Sequence, residues 1–293
     1  MAQSHEMRVL LADNQAGSSN AITLACRNCD LLGTQVFGRD PGKRGTREQY
    51  ACGARVLRED VAGGFNLYPT AAQLDWILQR AIGDNISGFP TGAATPKATL
   101  PQFYAFIDKG DEIFRYDNLV IAVLSLQMSE SDYIDVRVDV TGKDETSGVS
   151  WPATPPAIDC DSEFITPDVV LTVNSVAYPF KSLGLTIDNS IAANQHENAV
   201  KRTIFEATDF AVGLDGTFGY RTATKALYRN GVAGTSGDLE ISDGTDTYTF
   251  TFGNLKIPGA GPTVPDDGEV TMNLSGGAFA TSSGSDQISI AKS

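Results

Sequence analysis

The sequence predicts a mainly β protein: a β-sandwich or barrel-like domain with one flanking α-helix and a β-rich C-terminal extension. Three observations predict it. In Tyr178 to Ile191, Leu183, Leu185 and Ile187 alternate with Gly184, Thr186 and Asp188, the period of a strand with one buried face. In Tyr133 to Val140, Ile134, Val136, Val138 and Val140 share one face, while Asp135, Arg137 and Asp139 share a face that is wet or pressed against something polar. The 29 glycines are generous for 293 residues and fit many turns. Such a chain can bury a large core, as one large β domain or two smaller ones.

The elements follow in order. Short apolar pieces from Ile22 to Phe37 read as strands broken by turns. Gly38 to Tyr50, with Arg39, Lys43, Arg44 and Arg47 beside glycines and Pro41, reads as a long exposed basic loop. Ala51 to Tyr68 resumes strand composition, with Gly63 and Gly64 marking a bend or bulge. Thr70 to Gly83 is the best helix: Thr70 and Gln73 make a capping box, Leu74, Ile77, Leu78 and Ala81 form one apolar stripe, and Gly83 caps the end. One stripe places this helix on the outside of a sheet, with Leu74, Trp76, Ile77 and Leu78 at the contact. Phe103 to Asp108 and Phe114 to Leu126 are strands joined by a tight turn at Gly110-Asp111; the second is apolar on both faces and therefore central. Asp168 to Val173 and Asp209 to Phe218 are further strands, and Thr222 to Arg229 has helical spacing. Beyond Gly234, Asp243-Gly244 between alternating runs signals a hairpin, and Val270 to Leu274 and Gln287 to Ile290 add two strands. The chain divides into residues 1–233, the main β domain, and 234–293, an acidic Gly/Ser/Thr-rich β extension.

A net charge of -14 sets up a field that repels nucleic acid and anionic membranes, which disfavours tight DNA binding but suits a surface that must let a polyanion slide past. No apolar run reaches membrane length, so the expectation is a soluble protein made in a cytoplasm. Cys26, Cys29, Cys52 and Cys160 include one C-x-x-C pair, yet His5 and His196 do not complete a zinc pattern; reduced, partly buried thiols are expected. Asp159, Asp161 and Glu163 alternate without a calcium-loop pattern. There is no nucleophile elbow, phosphate loop, dinucleotide fingerprint or H-E-x-x-H, and His196 reads as structural. No catalytic residue, cofactor or metal site is assigned, and no enzyme is expected.

Four stretches carry a family likeness: the basic loop Gly38 to Tyr50, the capped helix ending in LQRAIG (Leu78 to Gly83), the FYAFID hairpin region, and SLGLTIDNSI. In their order and spacing, over roughly residues 20 to 220, the chain resembles the major tail tube proteins of long-tailed, siphovirus-type bacteriophages. The resemblance implies a virion protein that forms hexameric rings, stacked into a hollow tube for DNA passage, with strands of every subunit joining one lumen barrel. It implies partners in further copies of the chain and in other tail proteins (tape measure, tail tip, terminator), only transient contact with DNA, and no membrane. By position, Arg39, Lys43, Arg44 and Arg47 match the loop that docks onto the next ring, against acidic groups there. Asp135 and Asp139 are candidates for an acidic lumen or polar face, and residues 234–293 for a decoration or inter-subunit arm. The same turns and acidity would also suit a β-rich adhesion or receptor-binding module of a tail tip or cell surface, although Trp and Tyr do not cluster as glycan binding requires.

Overall fold

The computed structural model describes residues 7–38, 55–83, 94–97, 99–159, 161–192, 195–230, 234–258, 261–264, 268–282 and 286–293. Arg39, Lys43, Arg44, Arg47, Cys52 and Cys160 lie outside the described residues. The architecture is mainly β with two helices, built on one large sheet that does not close.

Its central strand is β7 (Ile113–Ser129), which serves two layers in turn. The first half pairs with β6 (Phe103–Asp108) and β9 (Asp144–Ser147), and β6 continues to β1 (Arg8–Ala12) and β2 (Ile22–Leu24). The second half pairs with β8 (Asp135–Gly142) on one side and β12 (Ser182–Asp188) on the other. Between the halves Asn118 takes a positive φ of 53°, which an asparagine tolerates better than most side chains, and the register with β8 slips between Ile121 and Val123. Being paired on both edges explains the apolar run that marks β7 as central.

Outward from β8 lies β5 (Arg55–Leu67), which pairs with β3 (Cys26–Cys29) and β4 (Leu32–Gly38). Outward from β12 come β13 (Ala211–Gly219), β16 (Thr271–Phe279) and β15 (Thr247–Lys256). The last of these carries β14 (Thr235–Ser242) and β17 (Ile288–Lys292), and β14 leads to β10 (Val169–Val173) and β11 (Val176–Tyr178). All these pairings are antiparallel, the arrangement that lets one face be packed and the other wet. The expected turns form: Gly110 (φ 89°) sits in the β6–β7 turn, where Lys109 N donates to Glu112 O, and Gly244 (φ 91°) sits in the β14–β15 turn.

The first helix, α1 (Ala71–Ile82), ends at Gly83 in the left-handed region, whose N–H donates to Gln79 O. At its start, Thr70 N donates to Gln73 Oε1 at 3.3 Å, while the Thr70 hydroxyl donates to Asp159. Leu74, Ile77 and Leu78 are buried as the stripe predicts, and Trp76 meets Phe103 of β6 edge-on at 5.2 Å. The helix is nonetheless more enclosed than one stripe implies. Gln73 and Arg80 are buried as well, because the Asp13 loop, Asn189 and Tyr248 all close upon it. A second helix, α2 (Thr222–Asn230), follows β13.

A single apolar cluster joins Val136, Leu126, Leu185 and Leu214 to Tyr248, Phe250 and Ile290, so β14–β17 share the core of the preceding strands. Cys26 and Cys29 are free, half-buried thiols, and burial pushes both upward from the ordinary thiol range. His196 is held at the base of β5, its Nε2 lying 3.3 Å from Glu59 O and 3.2 Å from Asp60. Among the described residues no helix is long and apolar enough to cross a membrane.

Candidate functional site

With one face of the sheet packed on the core, the alternation that buries Leu124, Leu126, Val136, Val138, Leu183, Leu185, Val212 and Leu214 necessarily turns their neighbours the other way. Register then places the outward residues side by side. Gln127 of β7 lies opposite Asp135 of β8 and Gly184 of β12; Gly184 lies opposite Asp215 of β13, which lies opposite Ser275 of β16. One step along, Ser125 aligns with Arg137 and Thr186, and Thr186 with Gly213. The result is a broad polar surface of small side chains running across five strands.

Its charge is the informative property. The strand segments Cys26–Cys29, Val61–Leu67, Val120–Ser129 and the whole of β8, β12, β13 and β16 carry two cations, Arg27 and Arg137. Both are engaged. Arg27 donates to Asp135 at 3.1 Å and stacks over Tyr68, 4.4 Å from the ring centre. Arg137 donates to Asp139 at 2.7 Å, to Asp30 at 2.9 Å and to Asn66 Oδ1 at 2.8 Å. Burial pulls the Arg137 guanidinium down, but its bonds to Asp30 and Asp139 outweigh that and hold its pKa above the ordinary value. For Asp30 burial pushes up, while Arg137 and the Gly64 N–H pull down and prevail. Asp188 accepts from Ser190 N at 2.7 Å, and Asp215 is exposed. On those segments four carboxylates, Asp135, Asp139, Asp188 and Asp215, with Asp30 beside them, thus meet two guanidiniums that are already paired, leaving a net negative surface with no free cation on those strands to grip a phosphate. A depression of about 420 Å³ in this surface is lined by Gln127, Gly184, Asp215, Thr217, Asn273 and Ser275.

The predicted residues fall as follows. Asp135 and Asp139 are on this outward face, each tied to an arginine. Leu74, Trp76, Ile77 and Leu78 are in the core beneath it. The residues that sequence reasoning passed over are Asp188, Asp215, Gln127 and Ser275. Asp188 was visible in the alternation of β12; the others needed the register between strands.

A second exposed feature is the ribbon formed by β4 and the first half of β5. Val36, Phe37 and Leu57 are about half or more exposed there, at 50%, 61% and 61%. The pairing register of β4 among the described residues is with β5 alone.

Comparison with protein families matches residues 44–280 to a family described as phage tail tube protein. The chain belongs to that family. It is therefore a structural protein of a phage tail tube. The match to the tail tube family spans β5 to β16 and so includes nearly all of the polar face, and it runs on past residue 233 into the C-terminal strands. No curated protein matches the chain.

Proposed function

We propose that this tail tube protein polymerises as stacked hexameric rings into a hollow tube, with the polar face of β8, β7, β12, β13 and β16 turned to the lumen through which DNA passes during ejection. The observation that carries the proposal is the pairing of both face arginines with carboxylates, which leaves a net negative wall. At physiological salt, repulsion extends about 8 Å from such a wall, enough to keep DNA from resting on it. A barrel shared between subunits would also remove free strand edges, and a head-to-tail ring contact would continue without closing. Arg39, Lys43, Arg44 and Arg47 are proposed to dock on acidic groups of the adjacent ring. Residues 234–293 are proposed to act within the subunit body, a reading supported by the pairing of β14 with β10 and of β16 with β13. The subunit is proposed to have no catalytic role and to meet other tail proteins at the tube ends.

Negative-stain electron microscopy of the purified chain tests the assembly. Tubes in the parent, lost when Arg39, Lys43, Arg44 and Arg47 are changed to Glu, are the expected result; a discrete trimer or monomer with a glycan-bound cleft would overturn it in favour of an adhesion module. The lumen assignment is tested by a Gln127→Lys, Asp188→Lys, Asp215→Lys variant. Phage carrying it should assemble tails of normal length but eject DNA more slowly, and unchanged ejection would remove the face from the lumen.

A further inference from the structure

The exposed apolar ribbon and an apolar groove lie beyond opposite ends of β8. β5 pairs with β8 from Leu67 opposite Val136 to Val61 opposite Gly142, then runs on past the end of β8 to Leu57 and Arg55. Phe37 pairs with Val56 on that extension. Glu130 and Asp132 instead precede the start of β8, so the length of β8, about 26 Å at 3.3 Å per residue, separates the two places along the strand direction. There a groove of about 490 Å³ opens, walled by Val170, Ala177, Tyr178, Pro179 and Phe180 with Glu130 at its rim.

We propose that this groove receives the β4–β5 ribbon of a second copy, with Phe37 and Leu57 seated against Val170 and Phe180. The inference rests on the stacking proposed above and names the acceptor that stacking needs. Two arguments select a second copy as occupant. Charge is complementary: Glu130 lines the groove, exposed Asp132 and Asp168 are next in sequence to its lining residues Ser131 and Pro167, and none of the three has an ion-pair partner among the described residues, whereas the ribbon carries exposed Arg55 and is continued in sequence by Arg39. Geometry is complementary too, since a projection at one end and a recess at the other generate a heterologous contact that repeats along an axis. The acidic hollow beside Phe37 itself is a poorer acceptor: its Glu59, Asp60 and Asp144 are already met by Lys201, Arg202 and His196.

Photo-crosslinking of the full-length chain tests this. A benzophenone amino acid replaces Phe37, isotope-labelled and unlabelled copies are mixed and allowed to assemble, and cross-linked peptides are mapped by mass spectrometry. Label-mixed cross-links from position 37 to residues 130–132 or 166–180 are expected. So is a rise of roughly tenfold or more in the concentration Val170→Asp needs for assembly. If position 37 perturbs folding, judged by circular dichroism, Leu57 takes the probe. Tubes whose cross-links map elsewhere, or that form without any, overturn the acceptor and leave the tube reading standing. A parent chain that stays monomeric at every concentration and in the presence of preformed tails overturns both.

Discussion

The hydroxyl of Tyr248 donates to Asp75 Oδ1 at 2.5 Å, joining β15 to α1 across 173 residues of sequence. Lys292 reaches the other carboxylate oxygen at 2.9 Å, so the last strand is pinned to the same helix residue. Burial, reinforced by Asp75, pushes the Tyr248 phenol well above its ordinary range and keeps it the donor. Because the bond is to a charged acceptor, Tyr248→Phe is expected to cost about 1.5–3 kcal/mol. Urea unfolding should show a lower midpoint with an unchanged slope; a change under about 0.5 kcal/mol would mean the contact is incidental.

Arg80 and Asp13 should respond asymmetrically. The Arg80 side chain is 2% exposed, stacks 3.4 Å from the Trp76 ring centre and pairs with Asp13, which is 37% exposed. Asp13→Ala strands a buried guanidinium, whereas Arg80→Met leaves a carboxylate that water can solvate. The first should cost about 2–4 kcal/mol and the second about half that or less. Equal losses in thermal unfolding would refute the argument.

Gly64 admits no side chain. A Cβ there would lie 2.2 Å from Val138 O in the backbone of β8, with no flexible group to yield. Gly64→Ala should therefore destabilise by at least about 2 kcal/mol by forcing β5 off β8. Hydrogen exchange should localise the lost protection to the amides paired between these two strands.

Acid should weaken the polar face before it weakens the core. Asp30 has a folded pKa below its unfolded value, so its contribution is present above the unfolded value near 4 and is lost as pH falls from there through the folded value. Asp30→Asn should flatten that part of the stability profile and leave the neutral region nearly parallel to the parent. A variant whose profile keeps the parent's slope below pH 4 would show that Asp30 is not the group titrating.

Much of this was legible locally. The alternation in β8 and β12 states which side chains face the core, and the Gly110-Asp111 and Asp243-Gly244 turns state where the chain reverses. The helix ends were legible because caps are local chemistry. The burial of Arg80 was not, since an apolar stripe cannot report a cation enclosed by a loop 67 residues away. Nor was the neutralisation of Asp135, whose partner Arg27 is 108 positions distant.

The sequence by itself determined a mainly β chain with a capped helix, a half-polar sheet and an acidic surface, because periodicity, turn residues and charge act over a few neighbouring positions. Tertiary structure decided which strands lie side by side. It gave β7 and β5 two sets of partners each, assembled Asp135, Gln127, Gly184, Asp215 and Ser275 into one surface, and set the β4–β5 ribbon at the opposite end of β8 from the groove at Glu130. A strand's pattern specifies its buried face but not its neighbour, and the choice of neighbour is made by packing across the whole core.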